Sequence, residues 1–278
     1  MSETNKFETE LKELRKRIFL TGYKGKLAHF ASCFSALEII YTLYTKDVLR
    51  LDKNNALWDD RDRFILSKGH AGLALYAVLN HKGLVSDEVL SSYLQEESFI
   101  GGEPCMRDCE WIEATTGSLG HGLPMAVGIA MALKMNKSKA KVYVLLGDGE
   151  CQEGTVWEAA MNASRFELDN LVVILDNNKI QKMDLVENII GEPRWNEKWT
   201  SFGFDVLDID GHNVEQIQSV LKEKIKENGK PHLVIAHTVK GKGVSTMEGN
   251  PIWHFKMPNK KELKTIMEEL DIMEGELI

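Results

Sequence analysis

Val142-Tyr143-Val144-Leu145-Leu146-Gly147-Asp148-Gly149 is an unbroken apolar run that stops at a small acidic turn. A second run of the same kind, Leu171-Val172-Val173-Ile174-Leu175, stops at Asp176-Asn177-Asn178. Short apolar runs without alternation, bounded by turn residues, are the pattern of strands buried on both faces, as in parallel sheets covered by helices. Such sheets bind ligands at the carboxyl ends of their strands. Asp148 and Asn178 then offer a carboxylate and an amide oxygen at one place, which suits a hard divalent cation, and magnesium usually keeps phosphate oxygens in its shell. The reading is a magnesium-diphosphate site. The plainer alternative has Asp148 capping the following helix and Asn178 tolerating a left-handed turn. No Gly-x-Gly-x-x-Gly with an acidic residue at the expected distance and no Walker lysine motif competes with it.

Outward from this pair, the chain alternates strands and helices. Leu11, Leu14 and Ile18 recur at helical spacing between Thr9 and Thr21, giving an amphipathic helix. After the short polar-small stretch Ala28 to Cys33, a second helix is expected over Ser35 to Tyr44, with Ser35 and Glu38 in a capping-box pattern. Arg63 to Ser67 reads as a strand ending at Lys68-Gly69-His70, followed by a helix to Leu79. Residues Ser98 to Glu113 read as an irregular loop. Thr115 to Gly122 is glycine-rich and opens a helix over Ala126 to Lys134, whose first N–H groups face an anion in this reading. A helix is expected over Thr155 to Arg165, strands over Phe204 to Ile209 and Leu233 to Thr238, and a helix over Val214 to Lys226. A tail containing Trp253-His254 follows from about Gly241. The expected architecture is α/β, a parallel sheet with helices on both faces, forming one domain over residues 1–278. No internal repeat is visible.

At 278 residues, with 43% hydrophobic and 27% charged positions, the chain can bury a full core and has the balance of a soluble globular protein. Its net charge of −8 provides no basic field for nucleic acid. An anionic ligand must be held locally instead. No signal peptide and no run of about eighteen apolar residues is present, so no membrane partner is implied. Cys33, Cys105, Cys109 and Cys151 lack disulfide or paired zinc-ligand spacing, which fits a reduced, cytoplasmic protein. Cys105-x-x-x-Cys109 is left as ordinary thiols or a metal pair.

Arg63 to Gly69 with His70, Glu113-Ala-Thr-Thr-Gly-Ser-Leu-Gly-His-Gly122, Gly147-Asp-Gly-Glu-Cys-Gln-Glu-Gly154 and Asp176-Asn-Asn-Lys-Ile180 together resemble the amino-terminal half of transketolase, from about residue 10 to about residue 258. The chain is similar to the diphosphate-binding subunit of a split transketolase. The resemblance implies thiamine diphosphate and Mg as cofactors, with Asp148, Asn178 and the carbonyl of Ile180 on the metal. It places Gly149 at the phosphates, Gly117 and Leu119 at the cofactor border, and His70 and His254 near the diphosphate and reaction centre. His29 corresponds to a histidine that contacts the sugar donor. Glu153 and Glu158 correspond to glutamates at the protomer interface that link active sites; otherwise they are solvated acids on different faces of a helix. A carboxyl-terminal, pyrimidine-binding partner subunit is implied, supplying the catalytic glutamate in an α2β2 heterotetramer.

The activity implied is transfer of a two-carbon ketol unit from a ketose or ketose phosphate donor to an aldehyde. Two departures bear on specificity. Glu103 stands in Gly102-Glu103-Pro104 where transketolases carry Gly-His-Pro, and Phe255 follows His254 where glycine is usual. Both point to a sugar substrate outside the ordinary pentose phosphate pair. His121 occupies a position often filled by glutamine, and His81, His212, His232 and His237 receive no role. The alternatives are the α subunit of a 2-oxoacid dehydrogenase, and a non-catalytic cofactor-binding subunit.

Overall fold

The computed structural model describes residues 3–26, 29–182 and 184–277. Five strands, β1 (Arg63–Leu66), β2 (Val142–Gly147), β3 (Leu171–Asn177), β4 (Asp205–Asp210) and β5 (His232–His237), form one sheet. Their order is β1-β2-β3-β5-β4, and each neighbouring pair is parallel.

The helices are α1 (Glu3–Lys24), α2 (Phe30–Thr45), α3 (Gly72–His81), α4 (Asp87–Ser91), α5 (Gly122–Met135), α6 (Gly154–Arg165), α7 (Val186–Ile190), α8 (Trp195–Ser201), α9 (Val214–Ser219) and α10 (Lys260–Glu269). They cover both faces of the sheet. In β2, Tyr143 and Leu145 join the core shared with α1, α2, α3 and α9, whereas Val142, Val144 and Leu146 join the core shared with α5, α6 and α8. Successive side chains point to opposite faces of a strand, so burial on both faces removes the alternation from the sequence. Among the described residues no helix is long and apolar enough to cross a membrane.

Several boundaries move. Ser35 is not a helix cap: α2 begins at Phe30, and the Ser35 hydroxyl donates to Asp176 Oδ2 at 2.6 Å. Leu27 and Ala28, just before it, lie outside the described residues. Helix α5 starts at Gly122, ahead of the expected Ala126. The regular α-helix α9 stops at Ser219 and runs on as a wider turn over Val220–Lys224. The segment after Gly241 contains α10, whose Ile266 is buried in the core together with the following Leu270.

Candidate active site

Strand register brings the motifs together. Gly147 lies opposite Asp176 in the β2–β3 pair, so Asp148 and Asn178 leave the sheet side by side. On one flank β1 pairs with β2 and delivers Lys68, Gly69 and His70; on the other, β5 pairs with β3 and delivers Lys240. These strand ends surround a cavity of about 260 Å³ whose lining includes His29, His70, Glu103, Gly117, Leu119, Asp148, Gly149, Asn178, Ile180 and His254.

At the floor, Asp148 is 2% exposed. Its Oδ1 accepts from the Gly149 N–H at 2.7 Å and its Oδ2 from the Lys179 N–H at 2.5 Å. The Gly149 amide is thus turned to Asp148 here. Asn178 Oδ1 accepts from the Ile180 N–H at 3.1 Å, and the Ile180 carbonyl accepts from the Lys240 ammonium at 3.1 Å. A carboxylate, an amide oxygen and a carbonyl therefore line one small space, and an ammonium already sits on the carbonyl. That donor set fits a hard cation. A Cβ on Gly149 would meet the Gln181 Cβ at 2.7 Å, so glycine lets the two loops close over the site.

Two buried lysines and a second buried aspartate were not singled out from the sequence. Lys68 forms an ion pair with Asp176, which also accepts from Ser35 and Thr238. Burial alone would raise the Asp176 pKa, but Lys68 and these hydrogen bonds hold it below the usual range. Asp148 has less compensation: burial first, then the nearby Asp176 charge, push it up to about 7. Lys240 is lowered to about 8, by burial and then by Lys68. The floor is thus charged and poised for ionic ligands, since small changes in local charge shift such groups.

Three half-buried histidines form the wall. Ring centroids of His29, His70 and His254 are 5.5 to 5.6 Å apart. Burial, then the lysine charges, lower His29 to about 4 and His254 to about 3, and depress His70 well below its ordinary value. All three are neutral at pH 7 in this state. Phe255 packs its ring 4.9 Å from His29 and remains 60% exposed at the mouth.

The glycine-rich loop is held by a residue the sequence reading left unassigned. Buried Glu150 accepts from the Ser67 hydroxyl, the Gly120 N–H at 2.8 Å and the Gly147 N–H at 3.0 Å. The Gly122 N–H donates to Ser67 Oγ at 3.1 Å. The Gly122 amide, first in α5, is therefore engaged by a protein group, and Pro124 has no N–H to offer.

A second buried network fixes the Lys240 segment. Arg15 pairs with Glu38 and donates from Nε to the Lys242 carbonyl at 2.7 Å. His212 Nε2 accepts from the Val239 N–H at 2.8 Å, so its proton is on Nδ1, 3.1 Å from Glu38 Oε2. The Gly241 N–H reaches the Ala31 carbonyl at 2.9 Å. Lys240 is thus clamped from both sides.

Other expected residues lie elsewhere. Glu153 and Glu158 are exposed on or beside α6, outside the cavity lining; the Glu153 Cβ backs onto the Gly120 turn. His121 is exposed, with Nδ1 3.2 Å from the Ser118 and Leu119 carbonyls. The four cysteines are free thiols, and among the described residues no group of three His, Cys, Asp or Glu could hold a metal.

Residues 22–273 match the family profile of the transketolase thiamine diphosphate binding domain. The chain belongs to the transketolase family. It is 40% identical to a subunit of the apulose-4-phosphate transketolase of Phocaeicola vulgatus, over 95% of this chain and 93% of that protein. Identity to the 6-deoxy-6-sulfo-D-fructose transketolase subunit SqwG of a Clostridium species is 37%, over 89% of this chain and 90% of that one. The transketolase of Leishmania mexicana superposes with a TM-score of 0.86 at 27% identity, covering 95% of this chain but 41% of the Leishmania chain. This transketolase chain therefore spans about two fifths of that solved structure's length. Its five-stranded parallel sheet is the fold of the thiamine diphosphate binding domain.

Proposed function

We propose that this chain is the diphosphate-binding half of a two-subunit transketolase that transfers a two-carbon ketol unit from a ketose or ketose phosphate to an aldehyde, with thiamine diphosphate bound through Mg2+. The convergence of Asp148, Asn178 and the Ile180 carbonyl, with the Lys240 ammonium on that carbonyl, carries this reading. Asp148, Asn178 and Ile180 hold the metal, while Lys68 and Lys240 balance phosphate charge. Bound thiamine diphosphate supplies the nucleophilic carbon and the electron sink. Gly117 and Leu119 border the cofactor, and neutral His29, His70 and His254 each donate one hydrogen bond and accept another along the substrate path.

A partner is supported by the subunit names of the relatives. Proteins that this chain covers almost completely carry subunit names, whereas the Leishmania transketolase is more than twice as long. The partner supplies the pyrimidine-binding half and its glutamate in an α2β2 assembly, with Glu153 and Glu158 on the exposed face that meets another protomer. Relatives named for apulose-4-phosphate and for 6-deoxy-6-sulfo-D-fructose support a substrate outside the ordinary pentose phosphates, with Glu103 and Phe255 setting the choice. The transketolase profile across the chain favours this reading over a 2-oxoacid dehydrogenase component.

The test is to co-purify the chain with its partner and assay ketol transfer from a panel of ketoses and ketose phosphates. Turnover of a donor other than xylulose 5-phosphate, well above that of xylulose 5-phosphate with ribose 5-phosphate, is expected. Ordinary rates with that pentose pair would contradict the specificity, and cofactor binding without transfer would leave a non-catalytic subunit.

A further inference from the structure

Glu103 differs from the other charged groups of the cavity. Lys68, Asp148 and Lys240 are buried at the floor and bonded to protein. The Glu103 side chain is exposed and, among the described residues, forms no ion pair or hydrogen bond; only its backbone carbonyl is engaged, by the Tyr76 hydroxyl at 3.3 Å.

Its carboxylate nevertheless has a defined place. A Cβ on Gly117 would lie 1.9 Å from Glu103 Oε2, so the carboxylate rests on the bare face of that glycine, where φ is +144°. Gly117 in turn packs on Gly69, whose own Cβ would meet the Gly117 nitrogen at 2.8 Å. Gly69 adjoins His70. Glu103 therefore stands on the His70 side of the cavity, its carboxylate against Gly117. The exposed Lys182 lines the same cavity, and its charge reaches His29 and His254.

We infer that Glu103 selects the chemical class of the donor: it accepts hydrogen bonds from a neutral hydroxyketone end and rejects donors carrying a carboxylate beside the reacting carbonyl. This rests on the transketolase reading above and deepens it. An ionised carboxylate accepts hydrogen bonds and cannot donate them. Sugar hydroxyls satisfy it, whereas a second carboxylate meets like charge at Glu103 and receives no hydrogen bond from it. At an effective dielectric of about 20, two like charges about 6 Å apart repel by an amount worth roughly a hundredfold in rate. Solvent at the exposed rim reduces this to about tenfold or more.

The experiment uses the chain with its co-purified partner, loaded with Mg2+ and thiamine diphosphate. Hydroxypyruvate is the carboxylate probe; it yields the same two-carbon unit by breaking its C1–C2 bond and releasing CO2. The comparison donor is the best ketose phosphate from the panel. The ratio of kcat/KM, ketose over hydroxypyruvate, is measured for wild type, Glu103→Gln and Glu103→Asp. Glu103→Gln is expected to narrow the ratio about tenfold, chiefly by raising kcat/KM for hydroxypyruvate, while Glu103→Asp keeps it within about threefold of wild type. Narrowing by Glu103→Gln of less than about threefold, or equal narrowing by both variants, overturns the assignment of Glu103 while ketose turnover still upholds the transketolase reading. A wild-type complex that transfers no ketol unit from any ketose overturns both.

Discussion

At the floor of the cavity Asp148, Asp176, Lys68 and Lys240 are each at most 2% exposed and tied to several partners, whereas at its rim Glu103 is exposed and Phe255 leaves 60% of its surface to solvent. The floor is built from the ends of four parallel strands, so sheet register fixes its geometry. The rim is built from loops that no strand constrains. A fold shared across a family can therefore keep one cofactor chemistry at the floor while the rim changes substrate, because rim substitutions do not disturb buried charges.

The largest effect separating the two regions is expected in stability. Lys68→Met removes one member of a buried ion pair and leaves Asp176 without its cation, which should cost roughly 3–5 kcal/mol. Glu103→Gln should stay within about 0.5 kcal/mol of wild type. Urea unfolding of the three chains measures both, and equal losses would erase the distinction.

A smaller effect concerns the wall between them. His29 has a folded pKa of about 4, against about 6.5 in an unfolded chain. Above pH 6.5 both states are neutral and the folded chain keeps its full stability. As pH falls from 6.5 towards 4, the unfolded chain takes up a proton that the folded chain refuses, so stability is lost. The slope for a whole proton is about 1.4 kcal/mol per pH unit, and solvent access reduces it to ~1 or less. His29→Asn should flatten the decline between pH 6.5 and 5 in denaturant titrations; curves parallel to wild type would show that the wall titrates like an exposed surface.

The sheet was legible in the sequence where burial on both faces left unbroken apolar runs, as in β2 and β3. Asp148 and Asn178 were legible because parallel strands place their carboxyl ends together. The pairing of Lys68 with Asp176 was not, because the two are 108 positions apart and each reads alone as an ordinary turn residue. Lys240 stood in Lys240-Gly241-Lys242-Gly243, a pattern shared with solvated tails. The early start of α5 was hidden by Gly122 and Pro124, which disfavour helix interiors yet are tolerated in a first turn. Ser35 resembled a cap because a buried serine serving an aspartate on a distant strand leaves no local pattern.

The most direct test of the floor is a calorimetric titration of thiamine diphosphate into the chain with its co-purified partner, with Mg2+ or with EDTA, for wild type and Asp148→Asn. Saturable binding in Mg2+ is expected, weakened at least about tenfold both by EDTA and by the substitution. Equal affinity in all four titrations would contradict the assignment of Asp148 and Asn178 to a metal-held diphosphate.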